Sequence, residues 1–197
     1  MTYYGVPVLQ NRFTFLDLYF EYIQTMNLFI LSLCFRECAE WMFDKHISKM
    51  IVEAVQMLST AKHVLDPLED SLEEGIKIYK ISHKNHPVSI WIRTSLDNYL
   101  WTLDMVDAMH DEWRFRYGHP ETKVHASYKI AQYLRQVAPP ADRFPESGLT
   151  PFAQAMPNEY KDEDAVVAYR KYYQSPDKQK IASWKKRDPP HWYHLSG

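Results

Sequence analysis

Glycine is scarce in this chain, with 5 in 197 residues, and only two cysteines are present. Few glycines leave little material for the tight turns of a many-stranded β architecture, and the long amphipathic stretches favour helices instead. Cys34 and Cys38 stand four residues apart with no secretory leader ahead of them. They read as reduced thiols on one helical face, not as a disulfide framework or half of a zinc site. The longest apolar run, 27–35, is far short of the ~20 residues a membrane helix needs. No basic segment followed by an apolar stretch opens the sequence. The expectation is therefore a cytoplasmic protein (host cytoplasm if viral) with no membrane partner. Net charge is −2, so any contact with a polyanion must be local.

Aromatic residues, by contrast, make up 15% of the chain, enough to build a large core or to stack on bases. The length suits one domain. Residues 1–25 are read as an N-terminal helical extension with a crowded aromatic face. A second possible translation start falls at Met26, and 26–197 reads as a single helical domain. Residues 27–32 have strand-like or buried character. From Asp44 to about Leu65 the apolar positions Ile47, Met50, Ile51, Ala54, Met57, Leu58, Ala61 and Leu65 keep helical spacing, with Asp44 as N-cap and Asp66-Pro67 as terminator. The acidic residues 69–74 predict a short solvated helix. Pro87 opens a long helix to about Tyr117, broken by Gly118 and Pro120. A third helix is expected over about 121–137, an extended surface loop over 138–160, and a last helix from Asp162 to about Tyr173. The fold class is mostly α: three to four main helices in a compact domain with long polar loops and a basic, aromatic C-terminal tail.

Opposite the core face of the 44–65 helix runs a polar stripe of His46, Lys49, Glu53, Gln56, Thr60 and His63. A solvated helix face explains it. So does a site that moves protons, since a carboxylate one turn from a lysine and two from a histidine is suited to that work. A second stripe, Trp91, Ser95, Asn98 and Thr102 with Arg93 beside it, could meet a base edge or phosphate, or simply cap and pack a helix. His83, Lys84 and His86 precede a helix start and Arg114, Arg116, His119, Lys123 and His125 follow a helix end, each group a candidate phosphate contact or plain surface. The tail carries Lys185, Lys186 and Arg187 between Trp184 and Trp192, the strongest nucleic-acid footprint in the chain, although a docked aromatic anchor would look the same. Nine histidines include no H-x-x-x-H pair, and no glycine-rich phosphate loop is present. No metal or cofactor is expected.

The run Met-Asn-Leu-Phe-Ile-Leu at 26–31, followed by Asp44-Lys45-His46 and then Glu53 seven residues on, resembles the phage pyrimidine-dimer DNA glycosylases. Tyr79-Lys80-Ile81-Ser82 and the ending Pro190-His191-Trp192-Tyr193 are weaker echoes. A group of uncharacterised phage proteins looks similar through the same Asp-Lys-His, Lys-Met, Glu and Gln-Met pattern. The resemblance implies a DNA glycosylase and abasic-site lyase in which an α-amine attacks the sugar C1′ and a glutamate supports bond cleavage. Glu53 would be that glutamate, and His46 would orient phosphate or substrate. Here the interval from Met26 to His46 is several residues longer, and Met26 has no free amine while residues precede it. Lys45 or Lys49 could substitute, but a lysine near its ordinary pKa of about 10.4 needs burial or a neighbouring cation to become nucleophilic. On this reading DNA is the partner. The nucleic-acid contacts are Lys84, His86, Arg93, Asn98, Arg116, Lys123, Lys185, Lys186, Arg187 and Trp192. A non-catalytic nucleic-acid-binding protein and a metal-dependent DNA-base hypermodification enzyme stand as the alternatives.

Overall fold

The computed structural model describes residues 26–67 and 76–194. The expected helices within 1–25 and 69–74 lie outside the described residues. Within them the chain is helical: α1 (Phe35–Trp41), α2 (Asp44–Leu65), α3 (Pro87–Ile92), α4 (Leu96–Tyr117), α5 (Ala126–Gln136), α6 (Ala165–Tyr173) and α7 (Pro176–Gln179), with single 3₁₀ turns at Ala141–Arg143 and Asn158–Tyr160. Extended pairing among the described residues is confined to one isolated bridge, Ser95 to Glu146.

The central element is α2, which packs on α4, α5 and α3. Its apolar positions Ile47, Met50, Ile51, Ala54, Met57, Leu58 and Ala61 are buried, as their helical spacing predicts. Asp44, expected as the N-cap, is instead the first helical residue, with Phe43 in the cap position and no side-chain cap bond. Its carboxylate is drawn away by stronger partners. The Lys185 backbone N–H donates to Asp44 Oδ1 and Oδ2 at 2.9 and 3.1 Å, and Arg116 Nη1 lies 3.2 Å from Oδ1.

The expected long helix from Pro87 is two. It ends at Ile92 and resumes at Leu96, where Ser95 (φ −144°, ψ 157°) caps the new helix by accepting from Asn98 N at 3.1 Å. The break is held from outside, because Glu146 N donates to Thr94 O at 3.0 Å. At the far end Gly118 adopts φ 65°, a left-handed C-cap that His119 N completes by donating to Arg114 O at 2.9 Å. The third helix starts later than expected, at Ala126 behind a His125 cap, and α6 starts at Ala165 behind Asp164, whose Oδ1 accepts from Val166 N at 2.7 Å. Residues 138–160 do more than run over the surface, since Phe144, Ala155 and Met156 are buried in the core. Both cysteines are free thiols, and Cys38 Sγ is buried against Phe29 O at 3.2 Å.

Residues 26–32 form no strand. They are an irregular segment in which every side chain is buried, threaded between α2 and α6 by hydrogen bonds to Glu53, Ala155 and Tyr169. The C-terminal tail also folds back. Asp44 N donates to Ser183 O at 2.9 Å, Trp184 Nε1 to Trp41 O at 3.0 Å, and Tyr193 is buried beside Phe43.

Candidate active site

On α2, His46, Lys49 and Glu53 share one face, at one- and two-turn spacing. Burial of this face comes from the 26–32 segment laid across it. Glu53 is only 5% exposed. Its Oε2 accepts from the backbone N–H of Asn27 at 3.0 Å, and its Oε1 pairs with Lys49 Nζ at 3.0 Å. The Lys49 side chain is 55% exposed, so this cation reaches a shielded carboxylate from the solvent side. Burial pushes the Glu53 carboxyl above its ordinary range, and the Lys49 bond and charge and the Asn27 N–H hold that rise in check.

Asn27 is fixed by its side chain. Its Nδ2 donates to Ala155 O at 2.7 Å, and its Oδ1 accepts from Leu28 N at 2.8 Å. The Tyr169 hydroxyl stands 3.0 Å from Asn27 Oδ1 and 2.8 Å from Ala153 O, with one proton to share between them. The main-chain nitrogen at Glu53 is therefore placed by α6 and the 153–155 segment together, not by local turn geometry.

Phe29 lies flat on the His46 imidazole, centroids 4.6 Å apart, with Tyr173 edge-on at 4.9 Å. His46 Nδ1 shares a 2.5 Å hydrogen bond with the Tyr173 hydroxyl. Burial holds the imidazole pKa well below its ordinary value, helped by the cations of Lys178 and Lys49. The other face of the aromatic group carries a second amine. Lys178 Nζ sits 5.1 Å from the Phe29 ring centroid and 5.1 Å from that of Tyr172. Burial pushes its pKa down to about 8, with the Lys49 cation acting the same way and Glu53 and Asp177 against it. A buried carboxyl group thus meets a solvent-side lysine and one backbone nitrogen, and a partly desolvated lysine lies over the Phe29 ring. Such a set can generate a neutral amine near neutral pH and relay its protons.

Lys178 was missed by sequence reasoning, which saw it only as one charge of the basic tail. Its environment is made by Phe29, far away in the chain, so no local signal marks it. Lys45, named beside Lys49 as a substitute amine, is exposed on α2.

The residues expected to meet nucleic acid divide by burial. Lys84, Lys123, Lys185 and Lys186 are exposed. Lys186 Nζ donates to Phe115 O at 2.9 Å, and Arg93, partly exposed, spends one N–H on Lys84 O at 2.5 Å. His86 is buried and caps α3, accepting from Val88 N at 3.2 Å. Asn98 is fully buried and bonds Trp91 O and Thr150. Trp91, Ser95 and Thr102 are buried with it, so the second polar stripe faces the core and opens no cleft toward the first. Arg116 is buried as well, bonded to Glu112 at 2.5 Å, to Asp44, and to the carbonyls of Met42 and Glu40 at 2.6 Å each. Arg187 pairs with Glu112 at 2.8 Å and Glu40 at 3.1 Å, and half-buried Trp192 packs edge-on against Trp41 at 6.0 Å.

Two concavities matter. One of about 260 Å³ is lined by Tyr160, Tyr172, Ser175 and Lys178, with Glu159 and Asp177 also on its wall. The larger, about 490 Å³, lies between α1, α4 and the tail and holds none of the groups around Glu53. Among the described residues no cluster of three or more His, Cys, Asp or Glu side chains could hold a metal ion, and no helix is long and apolar enough to cross a membrane.

This helical fold, with a shielded carboxylate beside amines, agrees with the comparison to known families. The chain belongs to the family described as pyrimidine dimer DNA glycosylase, whose model matches residues 26–126, slightly more than half of the sequence. The match begins one residue before Asn27 and takes in α1 to α4, including His46, Lys49 and Glu53; Lys178 lies beyond it. No curated protein and no solved structure matches the chain. Membership supports a DNA-glycosylase-like function with DNA as the partner.

Proposed function

We propose that the protein excises a damaged or modified pyrimidine from DNA and cleaves the strand at the resulting abasic site, with Glu53 as the catalytic carboxylate and an amine as nucleophile. One observation carries this reading: Glu53 is almost wholly buried, yet its two oxygens are turned to the Asn27 nitrogen and to Lys49 Nζ, each at 3.0 Å. Burying a carboxylate costs stability unless it is paired. A proton-transfer role accounts for that cost, because burial raises the carboxyl pKa toward the operating pH.

The chemistry follows in steps. An amine attacks C1′ while the C1′–base bond breaks and the base leaves with a proton. The sugar ring opens to an imine. Glu53 as carboxylate then takes a C2′ proton, and the 3′ phosphate departs with its C–O electron pair. Lys49 holds Glu53 in orientation, and His46, neutral and stacked on Phe29, shapes the wall of the site. The exposed cations Lys84, Lys123, Lys185 and Lys186, with Arg93, supply phosphate contacts. A chain beginning at Asn27 would place its α-amine at Glu53.

The test is incubation of the protein with duplex DNA carrying one abasic site or one cyclobutane thymine dimer, with and without borohydride. The reading expects strand cleavage, a covalent protein–DNA adduct on reduction, and loss of both in Glu53→Gln. Salt-sensitive binding with neither cleavage nor adduct would make the protein a non-catalytic binder. Turnover abolished by a chelator would point to the metal-dependent alternative.

A further inference from the structure

Helix α2 carries only two acidic side chains, Asp44 and Glu53, and both are buried. What it turns to solvent is Lys45, Ser48, Lys49, Val52 and Gln56, which recur at three- and four-residue spacing and share one face. Lys45 and Lys49 are exposed and the other three are half-buried. No exposed carboxylate of the helix interrupts this row. Glu53 lies at its edge, and Lys49 Nζ reaches its Oε1 from the solvent side at 3.0 Å.

Cations stand at both ends of the row. At the start of α2, Tyr117 Oη donates to Asp44 O at 2.8 Å, and Lys185 Nζ sits 5.4 Å from the Tyr117 ring centroid. At the other end residues 79–82 lie across the same face of the helix. There Tyr79 N donates to Ser59 Oγ at 3.3 Å, Thr60 Oγ1 donates to Ser82 O at 3.0 Å, and His63 Nε2 stands 3.0 Å from Tyr79 O. Lys80, within that strap, is exposed. Ion pairs among the described residues take up Lys49, Lys62, Lys171 and Lys180 and leave Lys45, Lys80 and Lys185 without one. The open strip therefore has positive charge at either end and the shielded carboxylate between.

We propose that this strip of α2 seats the sugar–phosphate backbone of one DNA strand, with Lys45 and Lys185 holding phosphate on one side of Glu53 and Lys80 holding it on the other. This rests on the glycosylase reading above and names the surface that brings the sugar to the carboxylate.

The spacing and the charge both suit that occupant. Lys45 precedes Glu53 by about 12 Å along the helix axis, and Thr60, beneath the strap, follows it by about 10 Å. A strand held at one point can pivot about it; held on both sides, its intervening sugar is set in place against Glu53. A lysine ammonium acts on phosphate as a point charge, so it positions a strand without reading its sequence. Asp44 and Glu53 do not oppose the approach of phosphate, because each is buried and already paired, Asp44 with Arg116 and the Lys185 N–H and Glu53 with Lys49 and the Asn27 N–H.

The experiment measures binding of the full 197-residue protein to duplex DNA carrying one tetrahydrofuran abasic-site analogue, over a range of salt. Phosphates flanking the site are replaced one at a time by neutral methylphosphonates, and cleavage of natural abasic DNA is followed in parallel. In the wild type, replacements on both sides of the site should weaken binding. Lys45→Ala should become indifferent to a replacement on one side, and Lys80→Ala to a replacement on the other. Each variant should lower the slope of log affinity against log salt by about 1. Each should also raise KM for cleavage while kcat holds. Lys171→Ala is the control, since that exposed lysine pairs with Asp162 at 2.6 Å; its slope should match the wild type. Coupling of both lysines to one side, unchanged slopes in both variants, or an equal change in Lys171→Ala overturns the assignment, and wild-type cleavage then leaves the glycosylase reading standing. The expected coupling pattern in a wild type that does not cleave keeps the strip and removes the glycosylase reading. A wild type that does not bind the abasic duplex removes both.

Discussion

The imidazole of His46 lies against the ring of Phe29 with centroids 4.6 Å apart and the planes only 14° from parallel. Stacking on one face and the Tyr173 hydroxyl at Nδ1 leave little water to stabilise an added proton. His46 is therefore expected to remain neutral where a free histidine is half protonated, near pH 6.5. Because the folded-state pKa is depressed, the stabilising contribution is complete above the unfolded value and is lost as pH falls below about 6.5. NMR titration of the His46 ring checks this, and a midpoint at or above 6.5 would refute it.

Glu53→Gln keeps the shape and can keep the Asn27 hydrogen bond, but it cannot take a proton. Strand cleavage should fall by about 10²–10⁴-fold. The variant should be as stable as wild type at pH 7, or more so. A raised carboxyl pKa means that ionisation destabilises the fold as pH rises from the unfolded value through the folded one, and glutamine has no such loss. Denaturant titration beside a cleavage assay separates the two effects. A large loss of stability with intact cleavage would make Glu53 a structural residue.

Arg116, paired with Glu112 on its own helix, ties α4 to α2 through Asp44 and to α1 and the residue after it through the carbonyls of Glu40 and Met42. Removing one member of a buried ionic group leaves the others unpaired. Arg116→Met is expected to cost about 3–5 kcal/mol in urea denaturation. The exposed Lys84→Ala should change stability by less than about 0.5 kcal/mol.

Lys123, Lys185 and Lys186 are predicted to act through phosphate charge. Each alanine variant should weaken DNA binding evenly across sequences and reduce the slope of log affinity against log salt by about 1. An unchanged slope removes that lysine from the interface. Asn98→Ala, by contrast, should show itself as instability before any effect on DNA, because the side chain links Trp91 O and Thr150 inside the fold.

The sequence shows most clearly what repeats along one element. Helix α2 was legible end to end because its apolar residues keep a helical period and Asp66-Pro67 stops it. The His46–Lys49–Glu53 face was legible for the same reason, and the family resemblance singled out Glu53 within it. What failed depends on distant partners. The break before Ser95 is imposed by Glu146, while Ile92, Leu96 and Tyr99 continue in helical phase across it. Asp44 looks like a cap until Lys185 and Arg116 claim it. Helix α1 is short and shows no long apolar period, and of the two readings of the basic tail, nucleic-acid footprint or docked aromatic anchor, Trp184 and Tyr193 show the docking, on Trp41 and Phe43. Lys178 became visible only once Phe29 and Tyr172 were placed around it.

The clasp between Asp44 and the backbone at Ser183 and Lys185 spans 141 positions of sequence to its Lys185 side. On a ribosome adding about 5–20 residues per second, the opening turn of α2 waits roughly ten seconds or longer for the strap that closes on it. Tyr169 and Tyr173, which hold Asn27 and His46, emerge equally late. The nascent chain thus carries its carboxylate long before it has the walls around it, and the surroundings of Asn27 and His46 close only once residues 169 to 185 have emerged.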